Sequence, residues 1–215
     1  PIIMFIVHSY LLAVVFCFIT MLCWGSWGNT QKLAGKTWRY ELFYWDYVIG
    51  MVLFALIIGL TMGSTGDQGR PFLEDLAQAE WSGIVSVLIG GVIFNASNIL
   101  LSASVSLAGL AVAFPLGVGL ALVLGVIINY LGAPKGDPML LFAGVALIVI
   151  AIICNGIASG RMNKGQEQGA SNRKGIILSM VAGVLMSFFY RFVAAAMDLD
   201  NFEQPTAGML TPYSA

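Results

Sequence analysis

Six stretches of nearly unbroken apolar residues organise this chain, at about Ile6 to Trp27, Leu42 to Met62, Gly83 to Ala103, Leu107 to Leu131, Leu140 to Ser159 and Gly175 to Met197. A helix crossing ~30 Å of hydrocarbon needs ~20 mainly apolar residues, and each stretch meets that length. Backbone groups in lipid must be hydrogen-bonded within the segment, and no strand-like alternation appears, so all six are predicted to be helices. The third and fourth carry no charge at all. Between the second and third, a turn-rich connector from Gly63 to Pro71 leads into Phe72-Leu73-Glu74-Asp75-Leu76, which predicts a short interfacial helix. Between the fifth and sixth, Arg161 to Lys174 is a polar, basic linker.

Composition makes lipid the main solvent. The chain of 215 residues is 59% hydrophobic and 10% charged, with a mean hydropathy of +0.88. Soluble domains carry about a quarter charged residues. A net charge of −1 supplies no basic field for nucleic acid. Cys17, Cys23 and Cys154 all lie in apolar runs without metal-type or CxxC spacing. His8 is the only histidine, so His-based metal sites and Ser-His-Asp chemistry are not expected. Ala34-Gly35-Lys36-Thr37 resembles the end of a phosphate-binding loop, but Thr30 stands where its first glycine belongs and no strand precedes it. No metal, cofactor or enzymatic activity is expected.

Orientation follows from lysine and arginine. The odd-numbered loops hold Lys32, Lys36, Arg39, Arg161, Lys164, Arg173 and Lys174, against Arg70 and Lys135 in the even-numbered ones. That seven-to-two bias places the odd loops in the cytoplasm and the N-terminus outside. A bacterial inner membrane is the expected location.

Polar residues inside spans are the candidates for function, since they normally face protein or a cavity. Asn95, Asn98 and Ser102 recur at i, i+3 and i+7 on one face of a charge-free helix. Helix–helix hydrogen bonds would also satisfy them. In helix one, Trp24, Ser26 and Asn29 sit near the membrane boundary, and Gly25 and Gly28 share a face where another backbone can approach. Interfacial anchoring by tryptophan is the plainer account of that region. Tyr40, Tyr44 and Tyr47 form a stripe beside Asp46 at the start of helix two. Rings beside a carboxylate suit a planar polar solute, and Asp46 is a candidate proton-coupling group. The plainer account pairs Asp46 with Arg39 or Lys36. Pro115, with Gly117 and Gly119, predicts a kink that frees the carbonyl of Ala111 and serves as either a hinge or a static bend.

Leu185 to Arg191 can be laid over Leu22 to Gly28, with small and aromatic residues mixed near a helix end. If the sixth helix restarts what the first began, each repeat has five helices and the second copy is inverted. The expected division is residues 1–160 as the first repeat, 161–174 as the linker, and 175–215 as the start of the second repeat. That last part would contain helix six and the onset of helix seven near Gly208 to Ala215. The chain is then the N-terminal part of a longer protein.

The run from Leu22 through Trp24-Gly25-Ser26-Trp27-Gly28-Asn29-Thr30-Gln31-Lys32 to Arg39, followed by Tyr44-Trp45-Asp46-Tyr47, resembles the first hairpin of ureide-permease-like transporters. Asn98 to Ser102, Ala108 to Val112, Gly125 to Tyr130 and Gly183 to Phe189 are similar to later parts of that family. Trp27-Gly28 stands where plant members have Trp-Pro, and their long central loop is absent. The resemblance implies the drug/metabolite transporter superfamily, near its glucose/ribose branch. It also implies an all-α integral membrane fold of ten helices in two inverted five-helix repeats, six of them present here. The implied function is alternating-access transport of a small polar metabolite such as a ureide, nucleobase or sugar, coupled to protons. The solute, lipid and protons are the expected partners, and the oligomeric state is open. Multidrug efflux and a non-transporting membrane scaffold are the competing readings.

Overall fold

The computed structural model describes residues 4–35, 37–66, 68–162 and 170–215. It is all-helical. Helix α1 spans Tyr10–Ala34, α2 Tyr40–Leu60, α3 Phe72–Gln78, α4 Trp81–Ala108, α5 Leu110–Gly132, α6 Pro138–Met162 and α7 Ala170–Ala195. Six of these, all but α3, are long and apolar enough to cross a membrane. The protein is an integral membrane protein.

The helices follow from the apolar runs, with shifted ends. Helix α1 starts later than expected and continues through Asn29, Thr30, Gln31 and Lys32. The expected interfacial helix at Phe72 is α3. Between α4 and α5 the chain reverses at Gly109, whose φ of 80° is a conformation that favours glycine. Residues 163–169 of the expected linker from 161 to 174 lie outside the described residues, and Ala170 to Lys174 already belong to α7. Gly208 to Ala215, where the onset of helix seven is expected, is not helical. It forms turns and one bridge, with Leu210 N–H donating to Ala196 O at 2.8 Å. Thr206 to Gly208 and Pro212 to Ser214 break any apolar run there, so no helical face forms.

Two compact units are present. The first comprises Pro1–Trp27, Tyr44–Gly90 and Phe192–Ala215, and the second comprises Gly28–Phe43 and Gly91–Arg191. In the first unit, one buried carboxylate ties together segments far apart in sequence. Asp75 is fully buried and accepts from Arg70 Nη1 at 2.8 Å, from the Thr211 backbone N–H at 2.7 Å and from Ser214 Oγ. Arg70 reaches onward to Pro205 O at 2.7 Å, and Gln78 Nε2 donates to Met209 O at 3.0 Å. A buried ion that keeps all its partners is tolerated, whereas removing one partner strands the other charge. At the near end of the same loop, Asp198 accepts from the hydroxyl and backbone N–H of Thr206 and from the backbone N–H of Asp200 and Asn201. These donors pull its pKa down to about 2.

Asp75→Ala should therefore cost roughly 3 kcal/mol or more. The expected readout is cleavage after Glu203 by a glutamyl endopeptidase in the variant, with the native protein resistant. The Asp198 turn is expected to hold fully above the ordinary aspartate value of 3.8 and to open as pH falls through about 2. The Thr206 amide resonance should then titrate near 2, whereas a midpoint near 3.8 would show that these hydrogen bonds do not form.

Candidate functional site

The second unit is held together by serine hydroxyls that donate into the backbone of neighbouring helices. Ser97 of α4 donates to Ala182 O of α7 at 2.6 Å, and Ser104 of α4 donates to Gly175 O of α7 at 2.7 Å. Ser179 of α7 donates to Ala113 O of α5 at 2.5 Å. All three serines are buried. Each hydroxyl has one proton to place, and an acceptor on the next helix satisfies it at ~1 kcal/mol or less in lipid. Small residues permit the approach. A Cβ added at Gly183 would lie 2.6 Å from Gly117 O, and one at Gly117 would lie 2.6 Å from Leu101 Cδ1.

Asn98 breaks this pattern. It is fully buried on α4, yet neither its Oδ1 nor its Nδ2 meets a hydrogen-bond partner among the described residues. One turn further along, Ser102 is equally buried with its Oγ unbonded, while its backbone carbonyl accepts from Gln31 Nε2 of α1 at 2.9 Å. The Oε1 of Gln31 is also buried and unbonded. A buried amide or hydroxyl without a partner costs about 1–3 kcal/mol per group. Asn98 and Ser102 of α4 and Gln31 of α1 thus carry buried, unbonded atoms, as do Glu41 Oε2 and Asn172 Oδ1 of the same unit.

The other expected site residues are distributed around this one. Asn95, on the expected face, is exposed and donates to Gly91 O of its own helix at 2.9 Å. The cover over α4 runs from Ser97 to Val105 and does not take it in. Gly117 and Gly119 are buried beside Pro115. The Ala111 carbonyl, which loses its helical partner to Pro115, accepts from Ser159 Oγ of α6 at 3.4 Å. Gly28 packs tightly, since a Cβ there would lie 2.6 Å from Leu110 and Phe114 side-chain atoms, whereas Gly25 has nothing within 4 Å. Only one of the two glycines serves close packing.

In the first unit, Trp27 stacks on Tyr47 with ring centroids 5.5 Å apart and planes 20° from parallel, and Tyr47 meets Tyr44 at 5.8 Å. Trp27, one turn on from Trp24, is the tryptophan that stacks on Tyr47. Trp24 is half-buried, while Ser26, Asn29 and Asp46 are exposed. Ser26 Oγ donates to Cys23 O at 3.2 Å. Arg39 pairs with Glu41 at 3.1 Å.

A cleft of about 650 Å³ opens in the second unit at the shared end of α1, α4, α5 and α6 and the start of α2. Gln31, Lys32, Arg39, Glu41, Ser106 and Ser159 supply its polar lining.

The family model for ureide permeases matches residues 43–172, more than half of the chain and all of α4 and α5. The chain belongs to the ureide permease family. It is 28% identical to ureide permease 1 of Arabidopsis thaliana over 167 residues, 77% of this chain and 43% of that relative. It is 30% identical to ureide permease 2 of the same plant over 165 residues, 74% of this chain and 41% of the relative. Similarity to probable ureide permease A3 of Vigna unguiculata is 28% over 146 residues. The chain thus spans less than half the length of the curated relatives it matches. No solved structure matches it. Asn98, Ser102, Tyr44 and Tyr47 lie inside the region matched by the ureide permease model, and Gln31 and Tyr40 lie before it.

Gly183→Ala should be poorly tolerated, because it sets a methyl group against backbone, at a cost of roughly 1–3 kcal/mol. Gly25→Ala should leave stability unchanged. Thermal melting of the two detergent-solubilised variants checks this contrast.

Proposed function

We propose that this protein is a secondary transporter of a small, polar metabolite such as a ureide, nucleobase or sugar, working by alternating access as a member of the drug/metabolite transporter superfamily. The names of its relatives support the solute class, and six apolar helices support passage through a membrane. The observation that carries the reading is Asn98, a fully buried amide with both polar atoms unbonded roughly 15 Å from the cleft end of α4. A scaffold protein has no use for such a group, whereas a solute bonded there offsets its burial.

In this reading residues 1–160 form one five-helix repeat and 175–215 begin its inverted counterpart. The basic loops face the cytoplasm of a bacterial inner membrane, so the cleft opens inward. Asp46 is the carboxylate assigned to proton coupling, and Trp27, Tyr44 and Tyr47 supply flat surfaces for a planar solute. Pro115 with its glycines is the flexing point of α5, where Ser159 Oγ donates to the freed Ala111 carbonyl.

The test is uptake of radiolabelled uracil, hydantoin and glucose by the full-length protein in proteoliposomes. Asn98→Ala is expected to lower uptake at least tenfold, about 1.4 kcal/mol for a lost hydrogen bond, with normal insertion and melting. Asp46→Asn is expected to remove the dependence of uptake on an imposed pH gradient. Undiminished uptake in Asn98→Ala would contradict the site, and retained pH dependence in Asp46→Asn would contradict the coupling.

A further inference from the structure

Gln31 stands between the cleft and the buried part of α4. It lines the cleft, yet it is only 4% exposed, and its Nε2 is committed to Ser102 O. Its Oε1, Ser102 Oγ and the two amide atoms of Asn98 form a file of unbonded polar groups leading inward from the cleft, each in a nine-tenths buried side chain. Ser102 and Asn98 are four residues apart on one helix face, about 6 Å along its axis.

We infer that Gln31, Ser102 and Asn98 form one subsite for an uncharged solute carrying adjacent N–H and C=O groups, with the cleft as its vestibule and Gln31 as its gate. The absence of charge follows from the lining. Among the described residues of the second unit no ionisable residue is buried as a whole, and the buried, unbonded carboxylate oxygen Glu41 Oε2 lines the cleft, so an ion at Asn98 would lose its hydration without a countercharge beside it. Lys32, Arg39 and Glu41 stay at the mouth of the cleft.

The paired donor and acceptor follow from Asn98. A carboxamide presents one N–H and one C=O in a plane, which matches the cis N–H and C=O edge of a cyclic amide or urea in two parallel hydrogen bonds, as asparagine does with a base edge. In the closed state Gln31 offers only its Oε1, as an acceptor, because its Nε2 is held by Ser102 O. To admit a solute as far as Asn98, the Gln31 side chain must leave the Ser102 carbonyl. That makes the Gln31–Ser102 bond the closed state of the gate.

This inference rests on the transport reading, and the experiment separates the two. Full-length protein in proteoliposomes is assayed for saturable uptake of radiolabelled uracil, hydantoin and glucose. Gln31→Glu, which keeps shape but adds charge, is compared with Gln31→Ala. Gln31→Glu is expected to raise KM for uracil and hydantoin at least tenfold, and Gln31→Ala to raise KM less while increasing the maximal rate. As a second measurement that needs no transport, Ser102→Cys is placed in a background with Cys17, Cys23 and Cys154 replaced by alanine. Uracil is expected to slow its labelling by N-ethylmaleimide at least fivefold, and glucose to leave it unchanged.

Unchanged KM in both Gln31 variants, or equal protection by glucose and uracil, would overturn the subsite while leaving transport intact. A change in sodium dependence without a change in solute KM would assign these oxygens to a cation and likewise overturn it. Absence of saturable uptake of every probe by the unmodified protein, with no protection of Ser102→Cys, would overturn both.

Discussion

A polar group buried within a membrane bundle has no water to fall back on, and the second unit is arranged around that constraint. Ser97, Ser104 and Ser179 meet it by donating to carbonyls of the helix opposite, and those bonds set how α4, α5 and α7 lie together. Each is individually weak in lipid. Their value lies in direction, because a hydroxyl aimed at one carbonyl fixes register where apolar packing alone would let helices slide. Gly117 and Gly183 bring the backbones close enough for it. Among the described residues of this unit, Asn98 stands out as a fully buried amide with both polar atoms unbonded, beside Ser102 Oγ and Gln31 Oε1, and the functional reading is built on it.

The first unit answers a similar demand with charge. Asp75 is fully buried and surrounded by the Arg70 guanidinium, the Thr211 backbone N–H and the Ser214 hydroxyl, so its lone pairs are occupied. That arrangement fastens residues 205–214 against α3, with Gln78 and Arg70 adding bonds to the loop carbonyls. Trp27, Tyr47 and Tyr44 pack in the same unit, with Trp27 stacked on Tyr47 and Tyr44 buried beside it.

Much of the helical plan was legible because lipid imposes a length and a composition on each span. The seven-residue α3 was legible from Phe72 and Leu76 following a glycine- and proline-rich turn. Asn98 was legible as an amide in a charge-free run. Gln31 was not, because hydropathy falls after Trp27 and the polar end of α1 reads as loop. The spacing of Gly28 and Gln31, three apart and both buried, was the available signal. Asn95 and Ser102 share a helical face, but burial depends on which neighbours cover that face, and this is tertiary information. The same holds for the stacking of Trp27 on Tyr47. Arg70 and Asp75 looked like loop charges, since their partners lie more than a hundred residues away.

The account turns on whether a solute completes the hydrogen bonding of Asn98. The most direct measurement is a cryo-electron microscopy structure of the full-length protein in nanodiscs with saturating uracil or hydantoin. The expected result is ligand density in contact with the Asn98 carboxamide, with the Gln31 side chain moved off the Ser102 carbonyl. Ligand density confined to the Trp27, Tyr44 and Tyr47 rings, with Asn98 bonded by a protein side chain from elsewhere in the full-length molecule, would contradict it.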